Sequence, residues 1–169
     1  MSIPQWSEKI MSMTDETWER HANPWSVYSR FTVLPLVSIA LWSRDWIGGV
    51  SIFPILASVL WVWVNPRIFG KPKTTNNWAS MGTFGERIYL RSSAEELPVH
   101  HRFPCRMLQF MSALGVPFFV YGAFYLDFWC LVLGNVLMMV FKAWFVDRMA
   151  WLYLDMKDQN VEYRSWLRS

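Results

Sequence analysis

The chain has 169 residues, the size of one domain, but 53% of them are hydrophobic and 18% are aromatic. Those fractions exceed what a soluble domain of this length carries, so the composition argues against a protein folded in water. The 12 tryptophans agree with this, because the indole ring favours the headgroup zone of a bilayer. The net charge is +3, and the positions of the charged residues along the chain are more informative than this total.

The N-terminal segment, residues 1–24, contains acidic and polar residues and no basic region followed by an apolar stretch. That pattern is unlike a cleavable signal peptide. We therefore expect the first membrane segment to act as its own insertion signal.

Four later stretches carry no charged residue and are apolar enough to enter a membrane. They are Phe31–Ser43, Trp46–Val64, Met107–Leu126 and Phe128–Phe141. A membrane-spanning helix needs about 20 residues. The first stretch reaches that length if its helix begins near Trp25, with the Arg30 side chain reaching back to the interface. The fourth reaches it if Lys142 is tolerated and the helix continues to Val146.

Short connections join these stretches in pairs. Ser43–Asp45 separates the first two and Asp127 separates the last two, which predicts antiparallel helical hairpins. The predicted fold class is an all-α integral membrane protein with about four transmembrane helices in two hairpins. The predicted segments are hairpins at 25–64 and 107–146, a central loop at 65–106, and an interfacial tail at 147–169.

The basic residues predict how the hairpins are oriented. Of the 16 Lys and Arg residues, only Arg44 falls between the two members of a pair. Positive charge marks the cytoplasmic side of membrane proteins, so we expect both termini and the central loop in the cytoplasm. The predicted location is the cell (inner) membrane.

The two halves of the chain show a weak internal similarity. His21–Pro24 and His101–Pro104 each combine a histidine with a proline before an apolar stretch, and Arg67 and Arg148 each follow one. One interpretation is a parallel internal repeat, related by an axis along the membrane normal. The other is coincidence among short apolar segments.

Arginines collect near the predicted helix ends on the cytoplasmic side. Those that we assign to binding of an anionic ligand are Arg20, Arg67, Arg87, Arg102 and Arg148. Guanidinium groups bind phosphate oxygens in a bidentate manner, so the set predicts a site for a lipid headgroup or a phosphorylated lipid precursor. The alternative is that these residues anchor the topology and pair with Asp or Glu.

All three histidines fall on this same side. His21 and His101, together with Glu86, are the candidates for a catalytic acid or base. His21, His100 and His101 are also the residues that would hold a metal ion or a haem. Their spacing does not match a helical zinc motif, and they precede the bundle instead of projecting into it. We therefore predict no cofactor and no metal.

Gly82–Arg87 contains two glycines that permit a tight turn, and backbone amides in such turns bind phosphate. The segment lacks the Lys-Ser/Thr pair of a P-loop. We interpret it as part of a loop at the membrane surface, anchored by Trp78, Phe84 and Tyr89.

Four strings of the sequence are similar to a known family. They are Trp18–Ser26, Asn65–Arg67, Trp78–Arg87 and Asp147–Tyr153. On these strings the chain resembles a family of small, Trp-rich prokaryotic membrane proteins catalogued as a domain of unknown function. The resemblance covers about residues 18–155, implies a membrane location and supplies no functional residue.

Three functions stay open at this point. The first is a non-catalytic binding or accessory protein whose basic cytoplasmic face holds anionic lipid or a partner, since the spans lack the central ionisable residues of a transport pathway. The second is an interfacial enzyme acting on a phosphorylated lipid or lipid precursor, and the third is a haem or metal protein. We expect membrane lipid as a partner, a homo-oligomer or a larger membrane complex, and no nucleic acid.

Overall fold

A computed structural model describes residues 14–169, and this part of the chain is helical with no strand. The residues before Thr14, which include Lys9 of the predicted N-terminal segment, lie outside the described residues. The helices are α1 Asp15–His21, α2 Pro24–Arg30, α3 Val33–Trp42, α4 Arg44–Ile47, α5 Ile52–Ile68, α6 Trp78–Arg91, α7 Val99–Ala113, α8 Gly115–Tyr125, α9 Phe128–Met156 and α10 Val161–Ser165, with a 3-10 helix at Gly48–Ser51.

Within the described residues, 3 helical stretches are long and apolar enough to cross a membrane. They are Pro24–Asn65, Val99–Tyr125 and Phe128–Met156. Large apolar side chains on them lie on the outside of the fold, as Phe53 and Trp129 do, with 69% and 76% of their surface exposed. An outward-facing apolar surface of this extent is solvated by lipid and not by water, so the helices indicate a membrane protein.

The stretch Pro24–Asn65 is interrupted between α3 and α5, and these two helices pack against each other. The chain reverses through α4 and the 3-10 helix, where Gly48 has a φ of 55° that favours glycine. The turn therefore runs from Ser43 to Ser51, and the predicted connection Ser43–Asp45 is too short. The sequence did not reveal the length of the turn, because Trp46 and its neighbours are as apolar as the helices that they join.

The connection between α8 and α9 is as short as predicted. α8 ends at Tyr125, Leu126 adopts a left-handed conformation, and Asp127 caps α9. The Asp127 carboxylate accepts a 2.8 Å hydrogen bond from the amide of Cys130, which satisfies one of the free N–H groups at the helix start.

The predicted central loop contains a complete helix, α6, and the first turns of α7. Gly82 and Gly85 lie inside α6, so the interpretation of this segment as a surface loop is wrong, and the alternative of a tight phosphate-binding turn is wrong as well. A Cβ atom on Gly85 would lie 1.8 Å from the carbonyl oxygen of Met149 on α9, and one on Gly82 would lie 2.7 Å from Val146 Cγ1. The two glycines therefore let α6 approach the backbone of α9 closely.

The buried core lies where α6, α7 and the second half of α9 meet. Its larger members are Phe84, Ile88, Leu108, Phe145, Met149, Leu152, Tyr153 and Met156. Trp166 and Leu167 from the C-terminal tail pack against this core, and the Thr75 amide donates a 2.9 Å hydrogen bond to the Arg168 carbonyl. The segment before α6 and the C-terminal tail are thereby tied to each other over the core.

Candidate functional site

The main candidate site is a pocket of about 470 Å³ between the end of α6 and the first half of α7. Three arginines line it: Arg91, Arg102 and Arg106. Leu90 and Leu97 supply apolar wall, and the segment between the helices adds the hydroxyl groups of two serines. The pocket thus combines positive charge with an apolar side.

Two backbone carbonyls hold the guanidinium of Arg102. Its Nε donates to the Leu97 carbonyl at 2.8 Å, and its Nη2 donates to the Glu95 carbonyl at 2.8 Å. The planar group is therefore oriented before any ligand arrives, which lowers the entropic cost of binding.

Arg106 lies one helical turn beyond Arg102, on the same face of α7. Its side chain is exposed and makes no hydrogen bond or ion pair with the residues that the structure describes. Arg91 contacts Asp15 at 3.1 Å. Glu96 is the acidic residue of the lining, and it accepts a 2.6 Å hydrogen bond from the Ser93 amide. Three arginines against one carboxylate leave the lining with a net positive charge suited to an anion.

The predicted arginine set is distributed over several places. Arg102 lies in the pocket, whereas Arg20 donates to Glu16 at 2.8 Å and to the Arg67 carbonyl at 3.4 Å. Arg67 lies over the ring of Trp63, 4.1 Å from its centroid. Arg20 and Arg67 therefore contact each other, whereas Arg102 is held by the carbonyl groups of other residues.

Arg87 is buried and pairs with Asp15 at 2.5 Å, with its guanidinium 4.3 Å from the ring centroid of Trp166. Arg148 is half-buried beside His101 and Cys105. Sequence reasoning missed Arg91 and Arg106 as members of the candidate site. The four-residue spacing of Arg102 and Arg106 is the signal that could have found the second of them.

A second polar cluster joins α1, α2, α6 and α9. His21 Nε2 accepts a hydrogen bond from Arg30, and Lys142 Nζ donates a 2.8 Å hydrogen bond to Glu86. Burial raises the pKa of Glu86, but the charges of Lys142 and Arg30 outweigh it and hold that pKa at about 2. Burial and the Arg30 charge lower the pKa of His21 well below its usual range. This cluster therefore combines a neutral imidazole with an ionised carboxylate.

Asn65 connects the two helices of the first pair. Its fully buried side chain donates a 2.7 Å hydrogen bond to Ser29 Oγ and accepts a 3.3 Å hydrogen bond from Ser26 Oγ. The Arg30 Nε group donates to the Ser26 carbonyl at 3.2 Å. These contacts hold the end of α5 beside α2, where Arg30 meets His21.

A third cluster forms at the far end of α9, around Asp155. The Nε2 atoms of His100 and His101 lie 2.9 and 2.8 Å from Asp155 Oδ2. The structure thus brings two of the three predicted histidine ligands together and places His21 among different partners. Of the catalytic candidates, His21 and Glu86 share one cluster, whereas His101 belongs to this one.

Over residues 14–169 the fold is all-helical, and apolar helices long enough to cross a membrane, with charged clusters at the ends of several of them, indicate a membrane protein. The chain belongs to a family of unknown function, DUF6653, whose family model matches residues 3–166. This match confirms the predicted resemblance to an uncharacterised family. That the members of the family are prokaryotic and Trp-rich stays a prediction. The comparisons with curated proteins and with solved structures find no match.

Proposed function

We propose that this protein is a non-catalytic binding or accessory protein of the membrane, which holds an anionic lipid in the pocket between α6 and α7. The observation that carries the proposal is the lining of that pocket, which contains both three arginines and apolar residues. A phosphate headgroup with attached acyl chains has the same division into anionic and apolar parts.

The position of the pocket along α7 supports this proposal. Arg102 and Arg106 stand immediately before Met107–Leu126, which contains no charged residue. They therefore lie where the chain passes from the headgroup zone into hydrocarbon. Beside them, Phe103 and Phe110 are exposed by 73% and 64%, and these rings offer contact surface to the acyl chains of the lipid held at the arginines.

The proposed topology has four transmembrane helices in two hairpins, with the pocket on the cytoplasmic side of the inner membrane. α2 and α3 form the first arm and α5 the second, while α7 with α8 and then α9 form the other hairpin. The positive-inside distribution of Lys and Arg supports this orientation. A parallel internal repeat stays part of the proposal, supported by the similar sequences His21–Pro24 and His101–Pro104 ahead of the two long uncharged stretches.

The proposal is tested with the protein purified in mild detergent and titrated with short-chain phosphatidylglycerol or phosphatidylcholine, with native mass spectrometry as the readout. The Arg102→Gln/Arg106→Gln variant removes two pocket charges. A matched control, Lys73→Gln/Arg164→Gln, removes two exposed charges elsewhere. A hydrogen bond from a charged group contributes about 1.5–3 kcal/mol, so we expect affinity for phosphatidylglycerol to fall at least about tenfold in the pocket variant alone.

Equal loss of affinity in both double variants would show that general positive charge attracts the lipid, and the pocket would have no special role. Equal binding of the two lipids by the unaltered protein would remove the anionic specificity on which the proposal rests. Either outcome would overturn it.

A second candidate function is an interfacial enzyme acting on a phosphorylated lipid or lipid precursor. The observation that favours it is the cluster of His21 with Arg30, Glu86 and Lys142, where a neutral imidazole stands next to groups able to hold an anion. Its test is turnover of a lipid phosphate by purified protein and by the His21→Gln variant. Turnover lost in the variant with unchanged thermal stability would favour the enzyme.

A further inference from the structure

The contacts around Asp155 form a compact group of three metal-ligating side chains from two helices. His100 and His101 belong to the first turn of α7, and Asp155 belongs to the last turn of α9. One ligand atom from each residue lies within 4.8 Å of the other two. We propose that His100, His101 and Asp155 bind a divalent transition-metal ion, with Zn²⁺ as the best match.

The distances are close to those that a metal requires. Ligands about 2.0–2.1 Å from a tetrahedral zinc ion lie about 3.4 Å from one another. The two imidazole Nε2 atoms are 2.9 and 2.8 Å from Asp155 Oδ2, so an opening of about half an ångström admits the ion. His100 is 65% exposed and Asp155 is 40% exposed, and their side chains can move by that amount. The buried ring of His101 then provides the fixed ligand.

The chemistry of the ligands also fits a divalent ion. Two neutral imidazoles and one carboxylate carry a single negative charge, and imidazole nitrogen with carboxylate oxygen is a common zinc set. Asp155 contacts the two histidines through Oδ2, and its Oδ1 has no hydrogen-bond partner among the residues described. With three protein ligands, a water molecule would complete the four-coordinate geometry that zinc prefers.

A metal ion bound at the His100, His101 and Asp155 cluster should stabilise the fold. α7 and α9 are separated in sequence by α8 and pack against each other in the core, and at this end of the pair Asp155 contacts both histidines. A metal bound only in the folded state stabilises that state by mass action. Zinc should therefore tie the start of α7 to the end of α9 and raise the unfolding temperature.

The experiment uses full-length protein carrying a purification tag without histidine, stripped with a chelator and dialysed against Zn²⁺ or Co²⁺. Elemental analysis should give about one metal ion per chain, and Co²⁺ should produce the intense visible bands of four-coordinate cobalt instead of the weak bands of an octahedral ion. Thermal unfolding in detergent should move to higher temperature on addition of Zn²⁺.

Two single variants and one control make the assignment specific. His100→Ala removes an exposed ligand, and Asp155→Asn keeps a hydrogen-bond acceptor for His101. The control, Asp158→Asn, removes an exposed carboxylate that pairs with Arg164 at 3.0 Å. We expect metal affinity to fall at least tenfold in both ligand variants and to be unchanged in the control.

Metal content and cobalt spectrum that are the same in His100→Ala, Asp155→Asn and the unaltered chain would overturn the proposal. Absence of metal above the buffer background in the unaltered chain would also overturn it and leave a hydrogen-bonded His-Asp-His group. Because the lipid titration depends on Arg102 and Arg106 and the metal assay does not, failure of one proposal is distinguishable from failure of the other.

Discussion

Lys142 on α9 donates a 2.8 Å hydrogen bond to Glu86 on α6, so an amphipathic helix is attached by a charged pair to the longest helix of the fold. The Glu86 side chain is 18% exposed and that of Lys142 is 48% exposed. The carboxylate therefore lies on the inner side of the pair, and Lys142 and Arg30 keep it ionised.

The Glu86→Gln variant tests this pair. The lowered pKa of Glu86 means that ionisation stabilises the fold above pH 4.5, and this contribution is lost as the pH falls from 4.5 towards about 2. We expect the variant to lose about 2 kcal/mol of unfolding free energy at neutral pH and most of the acid dependence in that range. Denaturant unfolding in detergent at several pH values measures both. Glu95→Gln, at an exposed carboxylate, is the control, and the same loss there would contradict the prediction.

His21 should contribute a separate acid sensitivity at higher pH. Its folded pKa is lowered by burial and by Arg30, Lys142 and Arg67, with Glu86 acting in the opposite direction. As the pH falls below 6.5, the unfolded chain takes up a proton that the folded chain resists, so the fold loses stability. We expect the unfolding temperature of the His21→Gln variant to change less between pH 6.5 and 5 than that of the unaltered protein. This range covers about one and a half pH units below the usual histidine pKa.

An unfolding temperature that varies with pH in the same way with and without His21 would show that this imidazole does not stay neutral in the fold.

Because α6 and α9 approach each other closely at Gly85, even the smallest side chain at this position should destabilise the fold. The Cβ atom of Gly85→Ala would meet the Met149 carbonyl oxygen at 1.8 Å, and only a shift of one helix relieves that overlap. We expect a loss of about 3 kcal/mol or more, measured by thermal or denaturant unfolding in detergent. Gly70→Ala is the matched control, since its Cβ would meet nothing within 4 Å. Equal stability of both variants would mean that the helices are farther apart than described.

The proposed orientation of the hairpins can be tested with single cysteines. In a Cys105→Ala/Cys130→Ala background, Asp45→Cys lies in the turn between α3 and α5, and Lys73→Cys lies between α5 and α6. A membrane-impermeant maleimide should label the first variant in intact cells and the second only after lysis. Labelling of both in intact cells, or the reverse order, would contradict a cytoplasmic central segment.

The parts of the fold that could be predicted are those where charge or capping interrupts an apolar run. Asp127 marked the turn between α8 and α9 because it stands alone between two such runs and is a good helix cap. The turn at Ser43–Ser51 could not be bounded in the same way, since Ile47 and Val50 look like membrane residues. Gly82 and Gly85 suggested a turn because a sequence does not show whether a glycine serves the backbone conformation or helix contact.

The candidate site was predicted in its residue types and only partly in its members. The sequence assigns Arg102 to anion binding, and it offers His100 and His101 as metal ligands while predicting no metal. Asp155 was not recognised as their partner, because that requires α9 to continue beyond Val146 and to lie along α7. Hydropathy reports where a helix enters lipid, but it carries no information about which two helix ends meet.

Buried residues are fewer in the first apolar stretch of the chain than in the last, and this difference bears on the order in which the fold assembles. Only 6% of the apolar window in Pro24–Asn65 is buried, against 22% in Phe128–Met156, and the latter helix is synthesised last. The first hairpin of the proposed topology therefore precedes Lys142 and α9 in the order of synthesis. Its apolar surface is favourable in lipid before α9 is made, whereas the contacts of Arg30 and His21 with Glu86 and Lys142 form only when α6 and α9 pack beside it.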